Sequence, residues 1–419
     1  MTSATPSKKK LRILLMPFFA TSHIGPFTDL AFHIAAARPD DIEANVAVTP
    51  ANTSIVRSAL ARRGPSQQAT VEVATYPFPT VDGLSLGVEN LSTVNAVDAW
   101  RIDAAAVDEW LMRPGQEKLI KEHLPDAIIT DRHFFWNVDV AGDLGVPCVT
   151  FHAIGTFSTL AMNRLVGVAD DATGGVVTVP MFPAPDIRIP VTEVPEYLRR
   201  NQQTLDGTTR DRISSARKRS LGLAVNTFFD LGHKYCETYV GNGHVKRSYF
   251  IGTLLLPLLP SPNKASANDL PCIDWLDGKP TQSVVYLCFD SLTHVSEAQL
   301  NELALGLEAS GKAFLWVIRT DTWAPPEGWK ERIGERGMVV TGWAPQAAVL
   351  NHPSVGVFVT HCGWNSILET VSAGVPVLTW PMVCEQFITE RFVTEVLGIG
   401  KRLWPEVQGC AAQGTRSMS

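Results

Sequence analysis

Short, continuous apolar runs alternate with longer amphipathic stretches along most of this chain, and this alternation constrains the fold more than any other feature. Strands of a parallel sheet that helices cover on both faces have this pattern. The sequence therefore predicts an α/β protein with doubly wound parallel sheets. The predicted strands are 11–16, 44–49, 71–76, 127–130 and 146–151 in the first half, and 283–289, 313–318, 337–340, 355–360 and 377–379 in the second.

A segment with several prolines, 254–271, separates the two halves and is typical of an exposed linker. We interpret the chain as an N-terminal domain over 1–253 and a C-terminal domain over 272–419, both Rossmann-like and facing each other across a cleft. Such sheets bind ligands at the carboxyl ends of their strands, so motifs at strand ends are the most informative. A second irregular stretch, 167–195, is either an excursion that shapes a pocket or a passive loop.

Composition argues against several classes of protein. The net charge is −6 and there is no long basic run, so we expect no nucleic-acid partner. No apolar run approaches the roughly 18 residues that span a bilayer, so we expect no transmembrane segment. The 7 cysteines include no Cys-x-x-Cys pair, which favours reduced thiols in a cytoplasmic protein over disulfides or a zinc site. We expect a monomer.

A turn that contains a glycine follows the predicted strand 355–360 and begins with His361. We predict that the next helix spans 365–373, with Asn365 or Ser366 as its N-cap. The N–H groups and positive dipole end of a helix N-terminus suit a phosphate or diphosphate, and His361 would lie within reach of it. The alternative is an ordinary capped helix, because Asn and Ser are common N-caps.

Two other motifs follow predicted strands of the second half. Trp343, Ala344 and Gln346 follow the strand 337–340, where an exposed Trp can stack on a base; the alternative is a Trp packed in the core. Glu385 and Gln386 follow the strand 377–379, where they can bind sugar hydroxyls; the alternative is ordinary polar surface.

In the first half, His23 follows the first predicted strand, and we place it in the loop before a helix over 27–37. Histidine suits proton removal near neutral pH. Asp131 ends another strand, before a predicted helix over 134–141, and its carboxylate can orient an imidazole. The alternatives are a solvated or capping His and an N-cap Asp. The first loop lacks Gly-x-Gly-x-x-Gly, which argues against a nicotinamide-dependent dehydrogenase of the same fold class.

Taken together, the segment 343–386 resembles, nearly position for position, the signature of plant family 1 UDP-glycosyltransferases. The matching positions are Trp343-Ala-Pro-Gln346, His352-Pro, Gly356-Val-Phe, Thr360-His-Cys-Gly-Trp-Asn-Ser366, Glu369, Gly374-Val-Pro and Glu385-Gln386. Ser22-His23-Ile-Gly-Pro26 is similar to the loop that carries the family's catalytic histidine, and the resemblance extends over about 11–404.

The resemblance implies the two-domain GT-B fold, with His23 as catalytic base and Asp131 as its partner. It also implies a donor site made of several parts. These are Trp343 on the uracil, Gln346 and Glu369 on the ribose, His361, Asn365 and Ser366 on the diphosphate, Trp364, Glu385 and Gln386 on the sugar, and Ala344 and Ser291 in the same site.

The activity implied by the resemblance is inverting transfer of a hexose to a hydroxyl of a small lipophilic acceptor such as a flavonoid, phenolic or terpenoid. Gln386 is usual in relatives that use UDP-glucose, which makes glucose the expected sugar. The UDP-sugar is a co-substrate, and no cofactor or metal is implied. Four aromatic residues either line the acceptor pocket or belong to the core: Phe18, Phe19, Phe134 and Phe135.

The chain departs from the family pattern at two places. Asp290 stands before Ser291 where relatives have glycine, which adds a negative charge beside the expected diphosphate. The segment 405–419 is small and polar where relatives continue with helices, so the C-terminal domain is expected to be incomplete. These departures keep a second hypothesis open, a catalytically impaired relative that binds UDP or small molecules without efficient turnover.

Overall fold

The computed structural model describes residues 9–61, 71–95, 97–168, 175–199, 207–243, 246–254, 271–289, 295–320 and 322–403. The strands are β1 (Leu11–Met16), β2 (Ile42–Val48), β3 (Val71–Thr75), β4 (Ala127–Asp131), β5 (Cys148–His152), β6 (Val176–Thr178), β7 (Arg188–Pro190), β8 (Gly222–Val225), β9 (Ser248–Phe250), β10 (Val284–Cys288), β11 (Ala313–Ile318), β12 (Gly337–Thr341), β13 (Val355–Thr360), β14 (Val377–Thr379) and β15 (Gly400–Arg402). The helices are α1 (Thr21–Ala37), α2 (Thr53–Ala61), α3 (Ala99–Val107), α4 (Glu109–His123), α5 (Asn137–Asp143), α6 (Thr156–Leu165), α7 (Gly207–Arg219), α8 (His233–Gly241), α9 (Pro271–Asp277), α10 (Glu297–Ala309), α11 (Trp329–Ile333), α12 (Gln346–Leu350), α13 (Trp364–Ala373) and α14 (Gln386–Arg391).

Two large sheets organise the described residues, and neighbouring strands in both run parallel. The strand orders are β3-β2-β1-β4-β5-β8-β9 and β12-β11-β10-β13-β14-β15. In the first sheet the chain order reverses between β1 and β4, and in the second between β10 and β13. Doubly wound sheets bind ligands at such a switch point, outside the carboxyl ends of the strands.

The chain divides into two compact units, one of Met1–Thr156 with Thr204–Ser261 and the other of Phe157–Gln203 with Pro262–Ser419. Each unit contains one of the large sheets. The predicted domain limits of 1–253 and 272–419 stay a prediction, and most of the predicted linker lies outside the described residues. The grouping of 157–203 with the second unit differs from that prediction.

The core of the first unit lies on both faces of its sheet. Leu14 and Met16 of β1 pack in one buried cluster with Ile120 of α4. Leu15, between them, packs in a second cluster with Phe27 of α1. Since helices cover both faces, successive residues in the second half of β1 are all buried, which explains why the strand is a continuous apolar run and not an alternating one.

In the second unit, a buried ion-pair network joins the segment before α7 to the end of the described chain. Arg391, whose side chain is 0% exposed, has Nη2 2.5 Å from Glu193 Oε2 and Nη1 3.0 Å from Glu390 Oε2. Arg402 Nη2 lies 2.6 Å from the same Glu390 oxygen. The irregular stretch predicted at 167–195 is therefore fixed to the second unit through Glu193, and its role in shaping a pocket stays a prediction.

The prediction of doubly wound parallel sheets is confirmed. The strands 11–16, 313–318, 355–360 and 377–379 have the predicted limits, and Ser296 caps α10 with a capping box. One limit was wrong in a way that affects the site: α1 begins at Thr21, with Pro26 inside it. A proline within a helix removes one backbone bond, and here the buried Phe27 face compensates by packing on the sheet. None of the described helices is long and apolar enough to cross a membrane.

Candidate active site

The switch point of the first sheet brings together two residues that the sequence predicted to act together. Asp131 is the last residue of β4, and His23 lies in the first turn of α1, after β1. The His23 Nδ1 atom is 2.7 Å from Asp131 Oδ2. Because β1 and β4 pair directly, residues 108 positions apart in sequence form this contact.

Asp131 is fully buried, and its carboxylate receives four donors. Oδ2 accepts from His23 Nδ1 and, at 3.4 Å, from the Phe18 backbone N–H. Oδ1 accepts from His133 Nδ1 at 2.6 Å and from the His133 backbone N–H at 3.2 Å. Burial raises the pKa of the Asp131 carboxyl, but the imidazoles of His23 and then His133 outweigh it and hold this pKa well below its usual value.

The ionised carboxylate fixes the chemistry of the His23 ring. A carboxylate only accepts, so Nδ1 must carry the proton that it donates to Asp131, and Nε2 has the lone pair. The His23 side chain is 19% exposed, so the ring can be reached by a substrate. This arrangement of a buried acid, an oriented imidazole and a free nitrogen suits general-base catalysis.

His133 is a residue of this site that the sequence reasoning missed. Its ring stacks on Phe18, with centroids 4.3 Å apart, and its centroid is 5.6 Å from that of His23. Burial lowers the pKa of the His133 imidazole, although Asp131 opposes the shift. The available signal was a second histidine two positions after an acidic residue that ends a strand.

Two sequence interpretations at this site were wrong. His23 is helical, not part of a loop, and its backbone N–H donates to Ala20 O at 2.9 Å. The helix after β4 begins at Asn137 with Trp136 as its N-cap, so Asp131 does not cap it. The bonds of Asp131 to the two histidines place the acid in the side-chain cluster instead.

The four aromatic residues proposed for an acceptor pocket are all buried in the core of the first unit: Phe18, Phe19, Phe134 and Phe135. Phe18 is the member that meets the histidines, with its ring centroid 5.1 Å from that of His23. The assignment of an acceptor pocket to these residues stays a prediction, and Phe18 is the one whose position favours it.

In the second unit, the switch point between β10 and β13 is formed mainly by backbone. His361 follows β13 and is 4% exposed, and Cys362 after it has a φ of +67°. A Cβ on Gly363 would lie 2.1 Å from His361 Nε2, so only glycine allows the imidazole this position. The positive φ of Cys362 and the close approach of Gly363 to His361 thus constrain the shape of this turn.

Helix α13 begins directly after that turn. Its N-cap is Gly363, so the predicted caps Asn365 and Ser366 were wrong. Both residues lie within the first turn instead, because the helix starts at Trp364. A glycine cap contributes no side-chain oxygen, so the first N–H groups of α13 receive no bond from their cap residue, and they suit an anionic ligand.

Three of the predicted donor residues form one hydrogen-bonded group. Gln346 Nε2 donates to Glu369 Oε2 at 2.6 Å and to Ser366 Oγ at 2.9 Å. Trp343 is 48% exposed, which excludes the alternative of a core tryptophan, while Ala344 is buried. The turn after β12 thus lies beside α13.

The remaining residues predicted to bind the donor differ in their burial and in their hydrogen-bond partners. Trp364 is buried, and Gln386 Oε1 accepts from the backbone N–H groups of Met382 and Val383, both at 3.0 Å, which shapes the turn before α14. Glu385 is the N-cap of α14. Asp290 and Ser291 lie outside the described residues, and so does the chain end at 405–419.

Comparison with known proteins identifies the family to which this chain is similar. The family model described as "UDP-glucoronosyl and UDP-glucosyl transferase" matches residues 261–402. A scopoletin glucosyltransferase of Nicotiana tabacum is 35% identical over 94% of this chain and 85% of its own length. Two solved structures are similar over 94% of this chain. They are UGT73P12 of Glycyrrhiza uralensis with glycyrrhetinic acid 3-O-monoglucuronide (28% identity, 81% of that chain, TM-score 0.79), and UGT2 of Phytolacca americana with UDP-2fluoro-glucose and pterostilbene (27% identity, 85% of that chain, TM-score 0.73).

The fold, with its two Rossmann-like sheets, and these comparisons together define a UDP-sugar-dependent transferase. This chain belongs to the plant UDP-glycosyltransferases, hexosyltransferases of the GT-B fold that act on small molecules.

Proposed function

We propose that this enzyme transfers glucose from UDP-glucose to a hydroxyl of a small lipophilic acceptor, a phenolic, flavonoid or terpenoid, with inversion at the anomeric carbon. The observation that carries the proposal is the contact of 2.7 Å between His23 Nδ1 and the buried, ionised Asp131. It leaves His23 Nε2 as the atom that accepts a proton.

In the proposed step, His23 Nε2 takes the hydroxyl proton of the acceptor while the acceptor oxygen bonds to C1 of the sugar. The bond from C1 to the diphosphate oxygen breaks, and UDP leaves with that electron pair. The imidazolium that forms is stabilised by Asp131, which stays ionised. Attack from the face opposite UDP inverts the configuration of C1.

The donor is assigned to the second unit. Trp343 stacks on the uracil, and the Gln346–Glu369 pair binds the ribose hydroxyls. The start of α13, with His361, Asn365 and Ser366, binds the diphosphate of the donor. Trp364, Glu385 and Gln386 are assigned to the sugar, with Ala344 in the wall of the site.

Glucose is favoured over a uronic acid because Glu385 carries a negative charge. A uronate carboxylate near Glu385 would be repelled, and like-charge pairs weaken binding. The tobacco relative is named for glucose transfer and the Phytolacca structure holds a UDP-glucose analogue, whereas the Glycyrrhiza structure holds a glucuronide. The Glu385→Gln variant should narrow the preference for UDP-glucose over UDP-glucuronic acid.

The test is a reaction of the full chain with UDP-glucose and a panel of phenolic, coumarin and terpenoid alcohols. We expect UDP release with a matching glycoside, and the NMR coupling at C1 should identify a β-glucoside from the α-linked donor. An α-glucoside would contradict inversion, and an absence of product with every acceptor would contradict the transfer. Thermal stabilisation by UDP without turnover on any acceptor would favour the alternative, a binding protein related to the transferases.

A further inference from the structure

We propose that His23, Asp131 and His133 together form a binding site for a late first-row divalent metal ion, with Zn²⁺ as the probe, and that the bound ion inhibits sugar transfer. The binding part stands on the geometry of three side chains. The inhibition part rests on the proposed function of His23 as the base.

The three side chains converge on one point. The ligand atoms that they offer, two imidazole nitrogens and a carboxylate oxygen, lie within 4.8 Å of one another. Each Nδ1 atom is directed at a different oxygen of the same carboxylate, at 2.7 Å for His23 and 2.6 Å for His133. Among the described residues, these are the three His, Cys, Asp or Glu side chains whose ligand atoms lie close enough together to bind one metal ion.

The donor set selects the kind of ion. Imidazole nitrogen suits Zn²⁺, Cu²⁺ and Ni²⁺, whereas Mg²⁺ and Ca²⁺ prefer oxygen ligands. Two imidazoles with one carboxylate are a common zinc set, and a water completes the coordination. We therefore expect Zn²⁺ and Cu²⁺ to bind far more tightly than Mg²⁺ or Ca²⁺.

The ligands must rearrange to bind the ion. A tetrahedral ion about 2.0–2.2 Å from each ligand holds those ligand atoms roughly 3.3 Å apart, so each Nδ1 must move away from its Asp131 oxygen by under about 1 Å. The two imidazole nitrogens, which lie within 4.8 Å of each other, must come to the same spacing. Rotation of the two rings supplies this movement. The His23 and His133 side chains are 19% and 26% exposed, so an ion can reach them from solvent, whereas Asp131 is fully buried behind them.

Binding of the ion changes the tautomer of each imidazole. A neutral imidazole that donates from Nδ1 to Asp131 must present a lone pair at Nδ1 to the ion, so its proton moves to Nε2 through solvent. The carboxylate is already ionised, and no proton is lost overall when both rings are neutral. In this tautomer His23 Nε2 carries a hydrogen and has no lone pair, so the ring cannot accept the acceptor's proton. The bound ion therefore blocks the base without occupying the donor site.

The experiment measures Zn²⁺ binding and Zn²⁺ inhibition on the same chelator-treated full chain. We expect one Zn²⁺ per chain by calorimetry, with inhibition over the same concentration range, and little effect of Mg²⁺ or Ca²⁺. His133→Phe preserves an aromatic ring against Phe18 and should weaken both Zn²⁺ binding and Zn²⁺ inhibition at least tenfold. The inhibition of each variant is expressed relative to the activity of that variant without Zn²⁺.

The matched control is His352→Phe. His352 Nε2 also contacts a carboxylate, Asp277 Oδ1 at 3.1 Å, so it tests whether any imidazole–carboxylate pair binds the ion. This variant should bind Zn²⁺ like the unmodified chain. Co²⁺ added to the unmodified chain gives a second measurement, because its visible absorption should show nitrogen and oxygen ligands and should change in His133→Gln.

The outcomes separate the two proposals. Equal Zn²⁺ affinity in His133→Phe and the unmodified chain, or no stoichiometric binding at all, would overturn the metal site. Zn²⁺ binding that depends on His133 but leaves turnover intact at saturation would support the site and contradict the role of His23 as base. Loss of turnover in His23→Ala, together with no Zn²⁺ binding by the unmodified chain, would leave the proposed function standing and remove the metal site alone.

Discussion

The two sheets reverse their chain order at equivalent places, yet the sites at these places are built from different parts of the molecule. Between β1 and β4 the site consists of side chains, two imidazoles on one buried carboxylate. Between β10 and β13 it consists of a glycine turn and a helix start, with a histidine fixed against the glycine. Topology thus determines where a site lies, while local sequence determines its chemistry.

The difference between the two sites suits the two tasks proposed for them. Moving a proton needs a group that changes its protonation state, which a side chain provides. Binding a diphosphate needs several fixed N–H dipoles, which the backbone at a helix start provides. Variants at the first switch point should therefore change kcat, and variants at the second should change the KM for the donor.

Asp131→Asn should have the largest effect. The asparagine amide can donate to His23 Nδ1, which favours the tautomer with the proton on Nε2 and removes the base. We expect kcat to fall by about 10³-fold or more, with donor affinity within about twofold of the original. Steady-state kinetics with varied UDP-glucose measures both. A large rise in donor KM with an unchanged kcat would break the comparison between the two sites.

Gly363→Ala should be next. A Cβ would lie 2.1 Å from His361 Nε2, so the imidazole must move and the turn before α13 must shift. A displacement of about 1 Å can cost about 10²-fold in kcat/KM, and we expect most of this loss in donor KM. Gly306→Ala, on α10 with open space around its Cβ, is the matched control and should leave the donor KM unchanged. Equal donor affinity in both variants would contradict the role of the turn.

Trp343→Ala should have a smaller effect of the same kind. Stacking of an aromatic side chain on a base contributes about 1–3 kcal/mol, which corresponds to a loss of about 5-fold to 150-fold in UDP affinity. Because Trp343 is 48% exposed, the melting temperature should hardly change. Trp343→Phe should recover most of the affinity. Titration with UDP gives the three affinities, and equal values would exclude stacking at this residue.

Ser296→Ala should have the smallest effect and should touch neither site. Ser296 caps α10, where its Oγ accepts from the Gln299 N–H at 3.3 Å. Loss of an N-cap lowers the free energy of unfolding by about 1 kcal/mol. Urea unfolding should show this loss while kcat and donor KM stay constant. A changed donor KM would mean that the second site depends on general stability and not on its own turn.

The contrast between the sites also explains what the sequence could predict. The residues predicted to bind the donor lie in one continuous segment, so the resemblance of that segment to the family signature was enough to propose Trp343, Gln346 and Glu369. His23 and Asp131 come from separate segments, and the alternation of strands and helices was enough to place both at strand ends.

Details that depend on three-dimensional packing were not predictable in this way. The spacing of His133 two positions after Asp131 indicated only that the two residues are close in sequence, and the turn after β4 decides that the His133 ring bonds to the Asp131 carboxylate. The start of α1 at Thr21 was hidden because Pro26 usually marks a helix boundary. The cap of α13 was missed because Asn365 and Ser366 are common caps, whereas the actual cap is the glycine that His361 requires.

The most direct test of the central claim, that the first site moves a proton while the second binds the donor, is one paired measurement on His23→Ala. UDP affinity by calorimetry and single-turnover transfer from UDP-glucose are measured on the same preparation, with circular dichroism to verify the fold. We predict an unchanged UDP affinity and transfer reduced by about 10³-fold or more. Transfer at the original rate, or a loss of UDP affinity that accounts for the lost transfer, would contradict the account.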